Sequence, residues 1–209
     1  MLSKAASQAT NEKTDTKHTR TVVLVHGIYD SGARMGQMAD YLRKEGFTVY
    51  TPSLSPNTGK ADIDELARQL SAYIDRNIPR GEKFDLVGFS MGGLVCRYYL
   101  QRMDGLRRAD RFITLGAPHH GSALAYMVNN PGCRQMRPDS AFIRNLNSDI
   151  GVLKKVHFTS IWSPLDLSII PSNSSRTDAS RNIAVWVPIH PLLVWSPLPI
   201  RTVAGLLKS

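Results

Sequence analysis

The sequence predicts a single α/β domain built on about six mainly parallel strands, with helices on both faces of the sheet. Three observations lead there. Short runs of β-branched and aromatic residues alternate with segments whose apolar residues recur at helical spacing. Most of those runs are apolar almost throughout, as strands buried on both faces are. The chain has 209 residues, enough for one substantial core and too few for two. Strand–helix–strand connections of this kind cross over right-handedly and cover the sheet on both sides.

The elements follow in order. "TVVLVHG", beginning at Thr21, reads as a buried strand that ends in glycine. Met35, Met38, Ala39 and Leu42 then fall at i, i+3, i+4 and i+7, one apolar helical face closed by Gly46. "FTVY" (47–50) is a second strand, and "TPSLSPNTGK" a loop by its Pro, Gly and Asn content. Asp62 followed by Glu65 has the form of a capping box, and Ile63, Leu66, Leu70 and Ile74 give that helix its buried stripe. "FDLVGF" (84–89) is the third strand, and the helix after it carries Leu94, Val95, Tyr98 and Tyr99 and ends near Gly105. "RFITLG" (111–116) is the fourth strand. A long polar stretch with a helix near Ala141–Leu146 leads to the fifth, "VHFTSIW" (156–162). "IAVWV" (183–187) is the sixth, and a last helix lies within Leu192–Leu207.

Composition narrows the class. Apolar residues make up 42% of the chain, as in a globular domain rather than a disordered one. No apolar run approaches the roughly 18 residues that cross a bilayer. The first 20 residues are polar, contain Glu12 and Asp15, and have no apolar leader. They read as a solvated, disordered tail, with the globular domain over 21–209 and a cytoplasmic location as the expectation. Cys96 and Cys133 have neither CxxC nor metal-ligand spacing, and free thiols are the simpler reading. The net charge of +9 is spread over pairs such as Arg107 and Arg108 or Lys154 and Lys155. Without an aromatic-interleaved basic stripe this is a solvated basic surface, which argues against nucleic acid and leaves a transient anionic membrane contact as the weaker alternative.

The chemistry starts at Ser90. Gly88-Phe89-Ser90-Met91-Gly92 stands where the third strand stops and a helix begins. A nucleophile must stand clear of the fold on a sharp turn, and a Cβ two residues before or after it would clash. The plain alternative, a tight turn with a spectator serine, does not require the strand before and the helix after, and both are present. A serine hydroxyl needs a base and a group to orient that base. In a parallel sheet ligands bind beyond the carboxyl ends of the strands. His26, His119, His120 and His190 all follow strands and are open as the base; Asp30 and Asp166 are open as the acid, whereas Asp149 precedes its strand.

The ordered segments "VVLVHGIYDSG", "LVGFSMGGLV", "TLGAPHHGS" and "SPLDLSIIP" resemble the α/β-hydrolase superfamily, and among its members small lidless bacterial lipases and esterases. The resemblance covers about Thr21 to Lys208. It implies the α/β-hydrolase fold in a minimal form without a large cap domain, and a serine hydrolase of carboxylic esters working through an acyl-enzyme. It also implies the order nucleophile, acid, base: Ser90; Asp166, with Pro171 completing a D-x-x-x-x-P form; and His190, the histidine that follows Asp166 in the chain. Pro188 and Pro191 depart from the small residues that usually flank this histidine. Backbone N–H groups of Ile28 and Met91 would form the oxyanion hole, with His26 and Gly27 as the structural H-G loop. His119, His120 and Trp162 would line or support the pocket; Trp186 and Trp195 fall near the same edge. The implied chemistry needs no cofactor and no metal, and takes a small-molecule or lipid ester. A thioesterase or acyltransferase on the same serine, or a non-catalytic binding protein of the same fold, are the competing readings. With no hundred-residue cap between the fourth and fifth strands, an open site with modest selectivity for acyl length is expected. Oligomeric state is not encoded in any motif, and a monomer is the simplest expectation.

Overall fold

The computed structural model describes residues 20–209. The tail expected over residues 1–20 lies outside the described residues except for Arg20, which belongs to the fold: its Nη1 donates to Leu207 O at 2.8 Å.

Six strands form one parallel sheet in the order β2-β1-β3-β4-β5-β6. They are β1 (Thr21–Val25), β2 (Thr48–Tyr50), β3 (Phe84–Phe89), β4 (Ala109–Leu115), β5 (His157–Trp162) and β6 (Arg181–Ala184). The helices are α1 (Gly36–Lys44), α2 (Ile63–Asn77), α3 (Met91–Arg102), α4 (Pro131–Gln135), α5 (Ala141–Ser148), α6 (Leu192–Trp195) and α7 (Pro197–Lys208). The pleat divides the core. Val23, Val25 and Leu86 point to the face covered by α2 and α3, while Val22, Leu24, Val87 and Phe89 point to the face covered by α1 and α7. Ile63, Leu66, Leu70 and Ile74 of α2 are all fully buried, each contributing about 2 kcal/mol of hydrophobic stabilisation.

Chain order reverses at β1. The first crossover moves outward to β2, and the next returns over β1 to β3. The carboxyl ends of β1 and β3 therefore meet at the switch point, where such sheets hold their ligands.

Three details differ from expectation. The sixth strand is Arg181–Ala184 rather than 183–187, because β5 ends at Trp162 and offers no further partner. Val185 N–H closes the ladder on Trp162 O, and Val185 and Val187 stay buried beyond it, where the chain turns on the Val187 N–H to Val185 O bond. Asp62 is the N-cap of α2 but makes no side-chain capping bond; Gln135 accepts from Ile63 N–H instead, from across the fold. The C-terminal helix is two helices, broken where Ser196 caps α7 and Pro197 starts it.

Candidate active site

Ser90 sits between β3 and α3 with φ 54° and ψ −127°. A non-glycine residue held there costs about 1–3 kcal/mol, which the surrounding packing must supply. The two glycines of the pattern meet different neighbours. A Cβ on Gly88 would lie 2.8 Å from Gly92 O, the close approach of the turn itself. A Cβ on Gly92 would instead strike Val25 O and His26 O at the end of β1. The turn is thus wedged against β1, and Gly27 lies so close that a Cβ there would be 3.0 Å from Ser90 Cβ.

The four histidines separate by their partners. His26 uses both nitrogens on backbone: Nδ1–H donates to Gly27 O (2.8 Å), and Nε2 accepts from Leu54 N–H (2.9 Å). Burial lowers its pKa, and the ring fixes the 26–30 loop. His120 is exposed beside Asn147 and lines no part of the Ser90 cavity. His119 is fully buried behind the site. His190 is the one that shares the cavity with Ser90. Its Nδ1 lies 2.6 Å from Asp166 Oδ2, and its Nε2 is buried without a hydrogen-bond partner among the described residues. The ring is held between Phe89, 4.7 Å between centroids, and Gly116. Gly116 has φ 57°, and a Cβ on it would lie 2.8 Å from His190 Cε1, so both its turn and its neighbour demand glycine.

Asp30, the other candidate acid, also lines the cavity but is ion-paired to Arg34. Asp166 is buried, and its second oxygen accepts from Ser168 N–H at 2.9 Å. That loop is tied to the 116–122 loop by Ser122, whose Oγ accepts from Ile170 N–H (3.0 Å) and donates to Ser168 O (3.2 Å). Ser122 lies within the quoted "TLGAPHHGS", and the aspartate–serine spacing at 166 and 168 is that of an Asx turn; both signals were present in the sequence.

Ile28 lines the cavity, and its N–H has no backbone acceptor among the described residues, whereas the next N–H, on Tyr29, donates to Asn57 O (2.8 Å). Met91 is the first residue of α3, where an N–H has no intrahelical partner. Both donors therefore lie at the helix end and loop that flank Ser90.

The cavity measures about 380 Å³. One wall is Leu124, Ala125, Val128, Cys133 and Met136, all from the β4–β5 crossover. The segment expected to leave the site open folds into short turns and helices that enclose one side of it. Cys133 and Cys96 are both buried and unpaired. Trp162, expected in the pocket, is not part of the lining; it lies under the Arg176 guanidinium, 5.5 Å from the ring centroid. Trp186 and Trp195 are likewise outside the cavity.

Behind the site, buried Arg97 of α3 donates to His119 O (3.2 Å), Leu146 O (2.7 Å) and Asn147 Oδ1 (3.0 Å). It braces the 116–122 loop against α5. No carboxylate among the described residues touches it, and burial brings its pKa down to about 9, still charged at neutral pH. His119 Nε2–H donates to Thr114 Oγ1 (3.0 Å), which donates to Ser160 Oγ (3.0 Å), which donates to Ser175 O (2.6 Å). The buried Nδ1 has no hydrogen-bond partner among the described residues. Burial first, and then the Arg97 charge, depress the His119 pKa well below its ordinary value.

A depressed histidine pKa means the folded chain binds fewer protons than the unfolded one. Its stability is therefore whole above about pH 6.5, the unfolded value, and is lost as pH falls below it. Urea denaturation between pH 7.5 and about pH 5.5 is expected to show that loss, and His119→Gln to flatten it by up to about 1.4 kcal/mol per pH unit. An unchanged slope in the variant would remove His119 as the cause.

The family described as "Palmitoyl protein thioesterase" matches residues 21–177, a span that includes Ser90 and Asp166 and stops before His190. Lysosomal thioesterase PPT2 of Mus musculus is 30% identical over 106 residues, covering 49% of this chain and 35% of that protein. A triacylglycerol lipase of Burkholderia plantarii is 30% identical over 139 residues, covering 62% of this chain and 38% of that one. The matched region thus spans little more than a third of these relatives' length. Among solved structures, mature Bacillus licheniformis lipase BlEst2 superposes with a TM-score of 0.72 at 19% identity, covering 90% of this chain and 92% of that chain. Aspergillus fumigatus lipase B gives 0.77 at 18% identity, covering 91% and 53%. The fold is the α/β-hydrolase fold in a small form, and no cap domain is present among the described residues.

Proposed function

Because the chain belongs to the palmitoyl protein thioesterase family, we propose that it hydrolyses acyl esters or thioesters through a covalent acyl group on Ser90. The observation that carries this reading is one juxtaposition. A serine held at φ 54° opens into the same cavity as a histidine whose far nitrogen is fixed on a buried carboxylate at 2.6 Å.

In this reading His190 Nε2 takes the Ser90 proton as Oγ attacks the acyl carbonyl. Asp166 keeps the Nδ1–H tautomer and stabilises the imidazolium that forms. The N–H groups of Ile28 and Met91 receive the tetrahedral oxyanion, each such donor being worth roughly 3–4 kcal/mol in other serine hydrolases. The alcohol or thiol departs with the proton from His190, and water then releases the acid by the same steps in reverse roles. The apolar wall of Leu124, Ala125, Val128, Cys133 and Met136 takes the acyl chain, and a volume near 380 Å³ is within the ordinary range of ligand pockets.

Ser90-dependent labelling by a fluorophosphonate, followed by matched series of p-nitrophenyl esters and acyl thioesters from butyryl to palmitoyl, tests the reading. Turnover of both series is expected. Labelling without turnover of any acyl ester or thioester would favour a binding protein that keeps its residues in place. The wall predicts a further result. Val128→Trp is expected to lower kcat/KM for the palmitoyl substrate about tenfold or more and to leave the butyryl one within about twofold. Equal losses on both would move the acyl chain elsewhere.

A further inference from the structure

All ten large apolar side chains exposed among the described residues belong to segments that follow the carboxyl ends of β1, β4, β5 and β6. The sheet is parallel, so these segments share one edge, the edge onto which the Ser90 cavity opens. Met127, Leu167 and Trp186 are the most exposed, at 79%, 78% and 70%, and none of the three lines the cavity. Single exposed apolar residues scattered over a surface need no explanation; confinement of all of them to one edge does.

Arginines are interleaved with them. The guanidinium groups of Arg34, Arg137 and Arg176 lie over Trp195, Tyr126 and Trp162, at 4.3, 5.0 and 5.5 Å from the ring centroids. Arg34 is neutralised by Asp30, but Arg137 and Arg176 have no carboxylate within 4.0 Å among the described residues. Aromatic and aliphatic tips beside arginines are the pattern that seats at a headgroup boundary, with the apolar part inward and the charge at the phosphates.

We propose that this edge docks on the surface of an anionic lipid bilayer, with the mouth of the Ser90 cavity facing the membrane. The inference rests on reading that cavity as an acyl pocket. A second copy seated here would cover the mouth, and a net charge of +9 repels a copy while it attracts anionic lipid. Tips supplied by four separate segments suit a contact at the surface, and no described helix is long and apolar enough to cross a membrane.

The test uses the Ser90→Ala protein, so that no lipid is consumed, with phosphatidylcholine vesicles with and without phosphatidylserine. Partition onto the phosphatidylserine vesicles is expected, and the added changes Met127→Ser, Leu167→Ser and Trp186→Ser are expected to weaken it about tenfold or more. The same three changes on the Ser90 protein should leave turnover of a water-soluble butyryl ester within about twofold, which also shows that the variant folds. No partition by the parent, or partition that the three changes leave untouched, would overturn the proposal. So would light scattering that finds a dimer dissociated by them, since the edge would then be an interface between copies. Vesicle partition is read without catalysis. An inert Ser90 therefore removes the hydrolase reading and not the docking, and absent partition does the reverse.

Discussion

A Ser90→Ala protein is expected to lose acyl turnover by about 10⁴- to 10⁶-fold and to keep its stability within about 0.5 kcal/mol. The two halves of that expectation come from the same geometry. Alanine tolerates a positive φ no better and no worse than serine, so the bend between β3 and α3 keeps its cost and its supports. Those supports are Gly88 and Gly92 against their carbonyl neighbours, and the Ser90 N–H on Leu115 O at 2.9 Å. What disappears is a single oxygen, and every later step of the proposed chemistry depends on the bond it forms. Stopped-flow release of p-nitrophenol separates the outcomes. The parent is expected to form and hydrolyse an acyl-enzyme, and the variant to show neither phase above background. If Ser90 were only a turn residue, its loss would leave the rate within a few-fold, and the proposed chemistry would have to be abandoned.

How far the sequence could be read depended on whether a constraint was local. β3 was legible to the residue, Phe84–Phe89, because it is buried on both faces and bounded by the turn at Ser90. The strained bend at Ser90 was legible for the same reason, since five consecutive residues carry its whole steric argument. β6 was not, because a strand's end is set by its neighbour, and β5 stops at Trp162. Which of four histidines and two aspartates would meet lay open to pattern alone, since the 2.6 Å contact joins residues 24 apart in different loops; chain order by resemblance pointed to the pair that stands in contact. Arg97 reads in sequence as an ordinary helical arginine, and its burial follows only from α5 folding over it. The cavity wall was hidden too. Leu124, Ala125 and Val128 stand in or beside a single 3₁₀ turn, too short to show a period. The edge-lying aromatics misled in the other direction. Trp162 ends the right strand, yet it lies under Arg176 rather than in the cavity lining.

Asp166→Asn is expected to lower kcat by about 10³- to 10⁴-fold while the fold persists. The reason lies in the second oxygen of the carboxylate. Asp166 Oδ1 accepts the Ser168 N–H at 2.9 Å, and Oδ2 faces His190 Nδ1. An asparagine side chain in that slot must place its own oxygen at the Ser168 donor, which turns its NH₂ toward the imidazole. Nδ1 then becomes an acceptor, the ring proton moves to Nε2, and the nitrogen nearest the reaction can no longer take a proton from Ser90. The isosteric change removes no packing, so a loss of rate without a loss of thermal stability would report the tautomer and not a damaged loop. Asp30→Asn provides the contrast. It lies on the same cavity but is committed to Arg34, so it should leave kcat within about threefold and be read mainly in KM. If instead Asp30→Asn carried the large loss and Asp166→Asn the small one, the acid would have been assigned to the wrong loop. His190 would then have to reach Asp30 across the cavity, a movement that its hold between Phe89 and Gly116 opposes.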